Sequence, residues 1–285
     1  MDTIRFFKER NIPTRIFTIL KNFYFDYKYP LSVEERRIIA RNSVFKDKYT
    51  GKRCFVIGNG PSLKNVDLSL LKGEVTIVMN YFHENSILGT WQPTVYCAAD
   101  PVSSYSDNEL ETMRGVPKKI FPKDGYFFPI SVRNLFEKKD MYPKDKTFYL
   151  AMCKNLKDLN ITTNEIDLTQ KTFGVQNTAI LGIILAIYMG CKEIYLLGLD
   201  HNWLAYKKIS LTPHFYRNLE CRDKTDMTNT WKYKQNIEAV LTMFREYEKI
   251  HEYAKKRNIE IINLTEGSFL DEFPQAKFED IILAK

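Results

Sequence analysis

The chain has 285 residues, 44% apolar and 14% aromatic, enough for one large domain with a substantial core. No run approaches eighteen consecutive apolar residues, which argues against a membrane-spanning helix, and the charge-interrupted start "MDTIRFFKERNIPTRIF" does not read as a secretory signal. The net charge of +7 is too modest, and too bare of any RRM-like or helix-turn-helix pattern, for a nucleic-acid binder.

Residues 1–50 read as a helical extension carrying eleven Lys/Arg against six Asp/Glu, five of the seven net positive charges. Phe6, Phe7, Phe17, Phe23, Tyr24, Phe25, Tyr27 and Tyr29 interleave with that charge. Such a segment either packs its rings on the domain, the commoner use of Phe, or makes peripheral contact with anionic membrane. From residue 51 the pattern becomes strand–turn–helix. "CFVIG" (54–58), "VTIVMN" (75–80), "PTVYCAAD" (93–100), "KIFP" (119–122) and "TFYLAM" (147–152) are short, continuously apolar runs, as expected of parallel strands buried on both faces. "NVDLSLL" reads as a short helical piece capped by Asn65 or Asp67. Residues 102–177 are less regular. "TAILGIILAIYMGC" (178–191) is a helix apolar nearly all round and closed by Gly190, and "KEIYLLGLD" (192–200) follows as a buried strand. A long loop or lid occupies about 201–235. A long amphipathic helix over 236–258 and a last strand, "IEIINLT" (259–265), complete the pattern. The expected fold is α/β: a mostly parallel Rossmann-like sheet with helices on both faces, one nucleotide-binding domain over 51–285 with a lid insertion. Cys54, Cys97, Cys153, Cys191 and Cys221 form no C-x-x-C pair and read as reduced thiols of a cytoplasmic protein.

Ligands of open α/β sheets bind outside the carboxyl ends of the strands. Polar residues gather at those ends: Gly58, Asn59, Gly60, Pro61 and Ser62 after the first strand, Asn80 after the second, Asp100 after the third, and Gly198, Asp200, His201 later. "GNGPSL" is neither G-x-G-x-x-G nor a Walker A loop. Its glycines, Asn and Ser suit an anion cradle as well as a plain tight turn. Two of the four histidines, His201 and His214, fall beyond the Asp200 strand end, where a neutral imidazole could take a proton from an attacking hydroxyl. Tyr206, Tyr216, Arg217, Lys207 and Lys208 nearby suit a phosphate or sugar ligand. No metal-ligand spacing supports a metal centre among these residues.

"VIGNGPSLKNVDLSLL", "VMNYFHEN", "AADP" and "MGCKEIYLLGLDHNW", in this order, resemble the bacterial CMP-sialic-acid sialyltransferases of glycosyltransferase family 42. They also resemble surface-polysaccharide proteins of the 6-hydroxymethylpterin diphosphokinase-like type, whose close "INLTEGSFLDEFPQAKFEDI" is similar. The resemblance runs from about 52 to 280, with a poorly matched stretch over 102–170. It implies a GT-A-like domain, that Asn59 and Asn80 contact a CMP-sugar, that Asn177 and Thr178 at the start of the long helix face the nucleotide, and that a lid histidine, here His214, is the general base. The family's third strand ends in Asn-Pro, whereas here it is Asp100-Pro101. Its two phosphate-holding tyrosines have only Tyr206 and Tyr216 as counterparts, at a different spacing.

The implied function is inverting transfer of a sugar from a CMP-activated or similar nucleotide to a cell-surface glycan or glycolipid. Candidate catalytic residues are His214, His201 and Tyr216. No cofactor is required, a divalent metal being compatible but not implied. The expected setting is the cytoplasm, either free or peripheral at the inner face of the cytoplasmic membrane, and the expected assembly is a homo-oligomer. The alternatives are a pterin diphosphokinase using ATP and Mg²⁺, and a non-enzymatic nucleotide-binding scaffold.

Overall fold

The computed structural model describes residues 30–156, 159, 162, 164–205 and 232–283. Eight strands form a single sheet: β1 Arg53–Ile57, β2 Val75–Met79, β3 Val95–Cys97, β4 Gly125–Pro129, β5 Thr147–Asn155, β6 Lys171–Gly174, β7 Glu193–Leu197 and β8 Glu260–Asn263. Their order is β6-β5-β4-β3-β2-β1-β7-β8, and every neighbouring pair is parallel. The α/β, Rossmann-like expectation is therefore met.

Alternation along the strands sends side chains into two separate cores. Cys54 and Val56 of β1 face one layer, whereas Phe55 and Ile57 face the other. The first layer is roofed by α5 (Thr178–Tyr188), all eleven residues of which are buried, and by α6 (Tyr233–Lys255). A helix apolar all round needs cover on every side, and α5 has the sheet beneath it and α6 alongside. The opposite layer holds α2 (Asp107–Arg114), α3 (Val116–Lys119), α4 (Arg133–Lys138) and α7 (Phe278–Leu283).

The N-terminal boundary drawn at residue 50 does not mark a structural break. Helix α1 (Val33–Ala40) begins with a capping box at Ser32 and Glu35. Asn42 then donates to the carbonyls of Tyr149 (2.9 Å) and Leu168 (2.8 Å), and the Phe45 ring meets Phe127 and Phe148 in the core. Residues 33–49 are thus part of the domain, and the aromatic-rich stretch 1–29 lies outside the described residues. "NVDLSLL" forms 3₁₀ turns, with Asp67 capping Ser69 as expected. Two strands differ from the sequence reading. "KIFP" is not the fourth strand: Lys119 ends α3, 120–122 are irregular, and the strand is the aromatic run Gly125–Pro129. β6 lies at the sheet edge in the stretch read as irregular. Cys54, Cys97 and Cys191 are buried free thiols and Cys153 is half-buried.

Candidate active site

The chain runs outward from β1 to β6, then returns through α5 to place β7 on the other flank of β1. The order reverses between β1 and β7. Open parallel sheets form their ligand crevice at the carboxyl ends of such a pair. The loop Gly58–Ser62 leaves β1 at this point, and Gly198–His201 leaves β7 beside it.

The two loops are laced together. Gly58 N–H donates to Leu197 O (2.8 Å) and Gly60 N–H to Gly198 O (2.9 Å). Ser62 donates twice to the Asp200 carboxylate, from its N–H to Oδ1 (3.2 Å) and from its hydroxyl to Oδ2 (2.8 Å). Burial raises the Asp200 pKa and the Ser62 bonds act against that rise. Pro61 starts the 3₁₀ turn Pro61–Asn65, and Leu63 N–H returns to Gly60 O. The amides of Gly58, Gly60, Ser62 and Leu63 are therefore directed at protein acceptors, one of them the Asp200 carboxylate. Glycine is required at 60 because a Cβ there would overlap Asp200 Oδ2. At Gly198 both φ (+63°) and the Leu63 side chain, 2.5 Å from a built Cβ, demand it.

Three further elements complete the rim. Asn59 donates its side-chain amide to Met79 O (3.0 Å), while its Oδ1 is buried with no partner among the described residues. Asn80, at the end of β2, holds a left-handed φ of 50°, and its carbonyl accepts from the Tyr96 hydroxyl (2.9 Å). Its Oδ1 accepts from Thr178 Oγ1 (3.3 Å), which itself accepts from Ala99 N–H (3.4 Å) after β3. Asn177 caps α5 by accepting from Ala179 N–H (2.7 Å). Left-handed non-glycine residues concentrate where a fold over-determines its backbone, often at functional sites. Asn80 and His201 are two of them, both at strand ends on this rim. Asp100 is exposed after β3. Burial, with Asp100 next, raises the pKa of the Tyr105 hydroxyl, which has no hydrogen-bond partner among the described residues.

His201 does not present its ring to the crevice as a proton acceptor for substrate. It is 5% exposed, shares a 2.8 Å hydrogen bond with the Tyr247 hydroxyl, and packs beside Phe244. Desolvation pushes its pKa down to about 3, so the imidazole is neutral at physiological pH. The other catalytic candidates, His214 and Tyr216, and the nucleotide candidate Tyr206 lie outside the described residues.

One rim group was missed in the sequence. Glu246, on the buried face of α6 with Met243, Tyr247 and Ile250, is 6% exposed, and its Oε2 accepts from Gln176 N–H (2.8 Å). Burial pushes its pKa up to about 7, against the lowering effect of that bond. The signal available was a carboxylate on the apolar stripe of an amphipathic helix.

Fold and rim together define an open α/β protein with a polar crevice at its topological switch point. No family model and no curated protein matches the chain. Among solved structures, 93% of it is similar to the MAf glycosyltransferase from Magnetospirillum magneticum AMB-1, at 14% identity and a TM-score of 0.45; the chain spans 42% of that protein's length.

Proposed function

We propose that this protein is a glycosyltransferase that moves a sugar from a nucleotide-activated donor, CMP-linked or similar, to a hydroxyl of a cell-surface glycan or glycolipid. The observation that carries the reading is the convergence of Asn59, Asn80 and Thr178 at the switch-point mouth, with a buried Asn59 Oδ1 that has no donor among the described residues. An N–H or O–H of a nucleotide base or ribose is the kind of group that would satisfy it. The ordered resemblance to the family 42 sialyltransferases supports the same assignment.

In this scheme a ring nitrogen of His214 takes the proton of the acceptor hydroxyl. The acceptor oxygen bonds to the anomeric carbon from the face opposite the leaving group. The bond from that carbon to the nucleotide phosphate oxygen breaks, its electrons leave with the phosphate, and the configuration inverts. Tyr206 and Tyr216 are assigned to donate to the departing phosphate, a fixed-donor contribution of the kind that dominates many such rates. His201 has no proton-transfer step and is assigned to the support of α6. The scheme is written without a metal. Contact with anionic membrane, if made by the N-terminal extension, falls to residues 1–29, because residues 33–49 are engaged in the domain.

A thermal-shift screen with CMP, UDP, GDP and ATP, followed by hydrolysis of CMP- and UDP-sugars by wild type and His214→Ala, tests the reading. A bound ligand raises the melting temperature by mass action. His214→Ala is expected to lower turnover by about 10²–10⁴-fold with the nucleotide still bound. Failure of every sugar nucleotide to bind or turn over would sink the proposal. ATP- and Mg²⁺-dependent diphosphate transfer would replace it with the pterin-kinase alternative, and binding with His214 and Tyr216 dispensable would replace it with a scaffold.

A further inference from the structure

The carboxylate of Glu246 stands apart from the loop chemistry described above. It is buried on α6 and pairs with no cation among the described residues. A long, charged side chain in that state costs free energy, so what it holds is informative. Its partner is the main-chain N–H of Gln176, immediately before the Asn177 cap of α5. One helical turn away on the same face of α6, Met243 Sδ accepts from Asn177 Nδ2 (3.6 Å). Two consecutive residues of the β6–α5 connection are thus tied to α6. The next residue, Thr178, carries the line onward to Asn80 Oδ1 and Ala99 N–H. Hydrogen bonds at each end of the 176–178 main chain thus connect α6 to the ends of β2 and β3.

We propose that Glu246 is a positioning residue: by accepting from Gln176 N–H it anchors the β6–α5 connection to α6 and so holds Thr178 and Asn80 in register at the crevice mouth. Its consequence for ligand binding rests on the nucleotide-sugar reading, whereas the anchoring does not. A carboxylate accepts more strongly than a carboxylic acid, so the anchor tightens as Glu246 ionises. Among the titratable groups around it, Glu246 is the one that accepts from Gln176 N–H. On α6, Arg245 and Glu248 are exposed and Lys249 pairs with Glu252. Tyr247 beside it is held protonated by burial. His201, beyond β7, is neutral at these pH values. From the C-terminal segment, the Glu272 carboxylate bears on the shared neighbour Tyr247, as Glu246 does, and Asp271 bears on Glu272. Burial, and Lys255 next, lower the pKa of His251, which faces Phe273.

The test measures hydrogen exchange at the Gln176 amide in the full chain, corrected for intrinsic exchange, from pH 6 to pH 8, for wild type, Glu246→Gln and Glu246→Ala. Glu246→Ala is expected to speed exchange at Gln176 by about tenfold, the equivalent of one hydrogen bond, with Val56 in β1 unchanged. Glu246→Gln keeps an amide oxygen in place, so it restores protection to within about threefold and abolishes its pH dependence. Binding of CMP should follow the same order, about five- to tenfold weaker for alanine and within about twofold for glutamine. Equal exchange at Gln176 in wild type and Glu246→Ala, or the same pH dependence in wild type and Glu246→Gln, would overturn the proposal. Should the alanine variant fail to fold, the comparison of wild type with glutamine decides alone. If wild type does not bind CMP, the CMP reading fails and the exchange result still judges the anchor.

Discussion

Replacing Gly60 with alanine would place a Cβ on top of Asp200 Oδ2, with Asp200 Cγ 2.5 Å and Gly198 O 2.8 Å away. The backbone itself does not object, since Gly60 has φ −68° and ψ 157°, a conformation open to alanine. The penalty is therefore steric and electrostatic. The Asp200 carboxylate must swing away, and it takes with it the acceptor of both Ser62 bonds. Two hydrogen bonds to a charged, half-buried group are worth about 3–6 kcal/mol gross. The reduced freedom of the unfolded alanine chain returns about 0.4–1 kcal/mol, and partial relaxation of the loop returns more. The expected net loss is about 2–4 kcal/mol, read by denaturant unfolding with an unchanged m-value. The same substitution in an Asp200→Ala background should cost at least about 1 kcal/mol less, because the obstructing carboxylate is gone. What remains there belongs to the approach to Gly198 O. A Gly60→Ala protein within about 0.5 kcal/mol of wild type, or an identical cost in both backgrounds, would refute the reasoning.

Glu246 and His201 give opposing pH slopes. The Glu246 pKa is raised from 4.5 to about 7, so the stability that its protonated form contributes is complete below pH 4.5 and is lost as pH rises through about 7. Glu246→Gln should gain about 3 kcal/mol over wild type at pH 8 and under about 1 kcal/mol at pH 5, in urea titrations at each pH. His201, lowered from 6.5 to about 3, contributes stability present above pH 6.5 and lost as pH falls toward 3. His201→Asn, which tolerates the left-handed φ of 52°, should flatten the loss of about 2–3 kcal/mol that wild type owes to this group at pH 4.5. Asn80→Ala forfeits the Thr178 bond and strains φ +50°, for an expected cost of about 1–3 kcal/mol; Asn80→Gly should recover the backbone part of it. Equal melting temperatures for the two Asn80 variants would count against strain at that position.

Much of the frame was legible along the chain. Strands buried on both faces are written as continuous apolar runs, and β1, β2, β3, β5, β7 and β8 were found that way. The wholly apolar α5 could only be an interior helix. β4 was misplaced because "KIFP" and "GYFFP" are both short apolar runs ending at proline, and only the assembled sheet shows that the first is the end of α3 and an irregular link while the second is the strand. β6 was missed because its four residues carry one large apolar side chain, Phe173, too little for a periodic signal.

What the sequence alone determined, then, is the class of the protein and the gathering of polar residues at strand ends, because burial and chain reversal are written in local composition. Which ends become neighbours was decided only in three dimensions, since parallel pairing joins segments far apart in the chain. The meeting of Ser62 with Asp200 and of Glu246 with Gln176 are examples. So is the fate of His201. Its polar sequence surroundings suggested a solvent-facing base, and packing against Tyr247 turned it into a buried neutral ring. Local chemistry supplies the candidates; desolvation, a property of the assembled fold, selects their charge states.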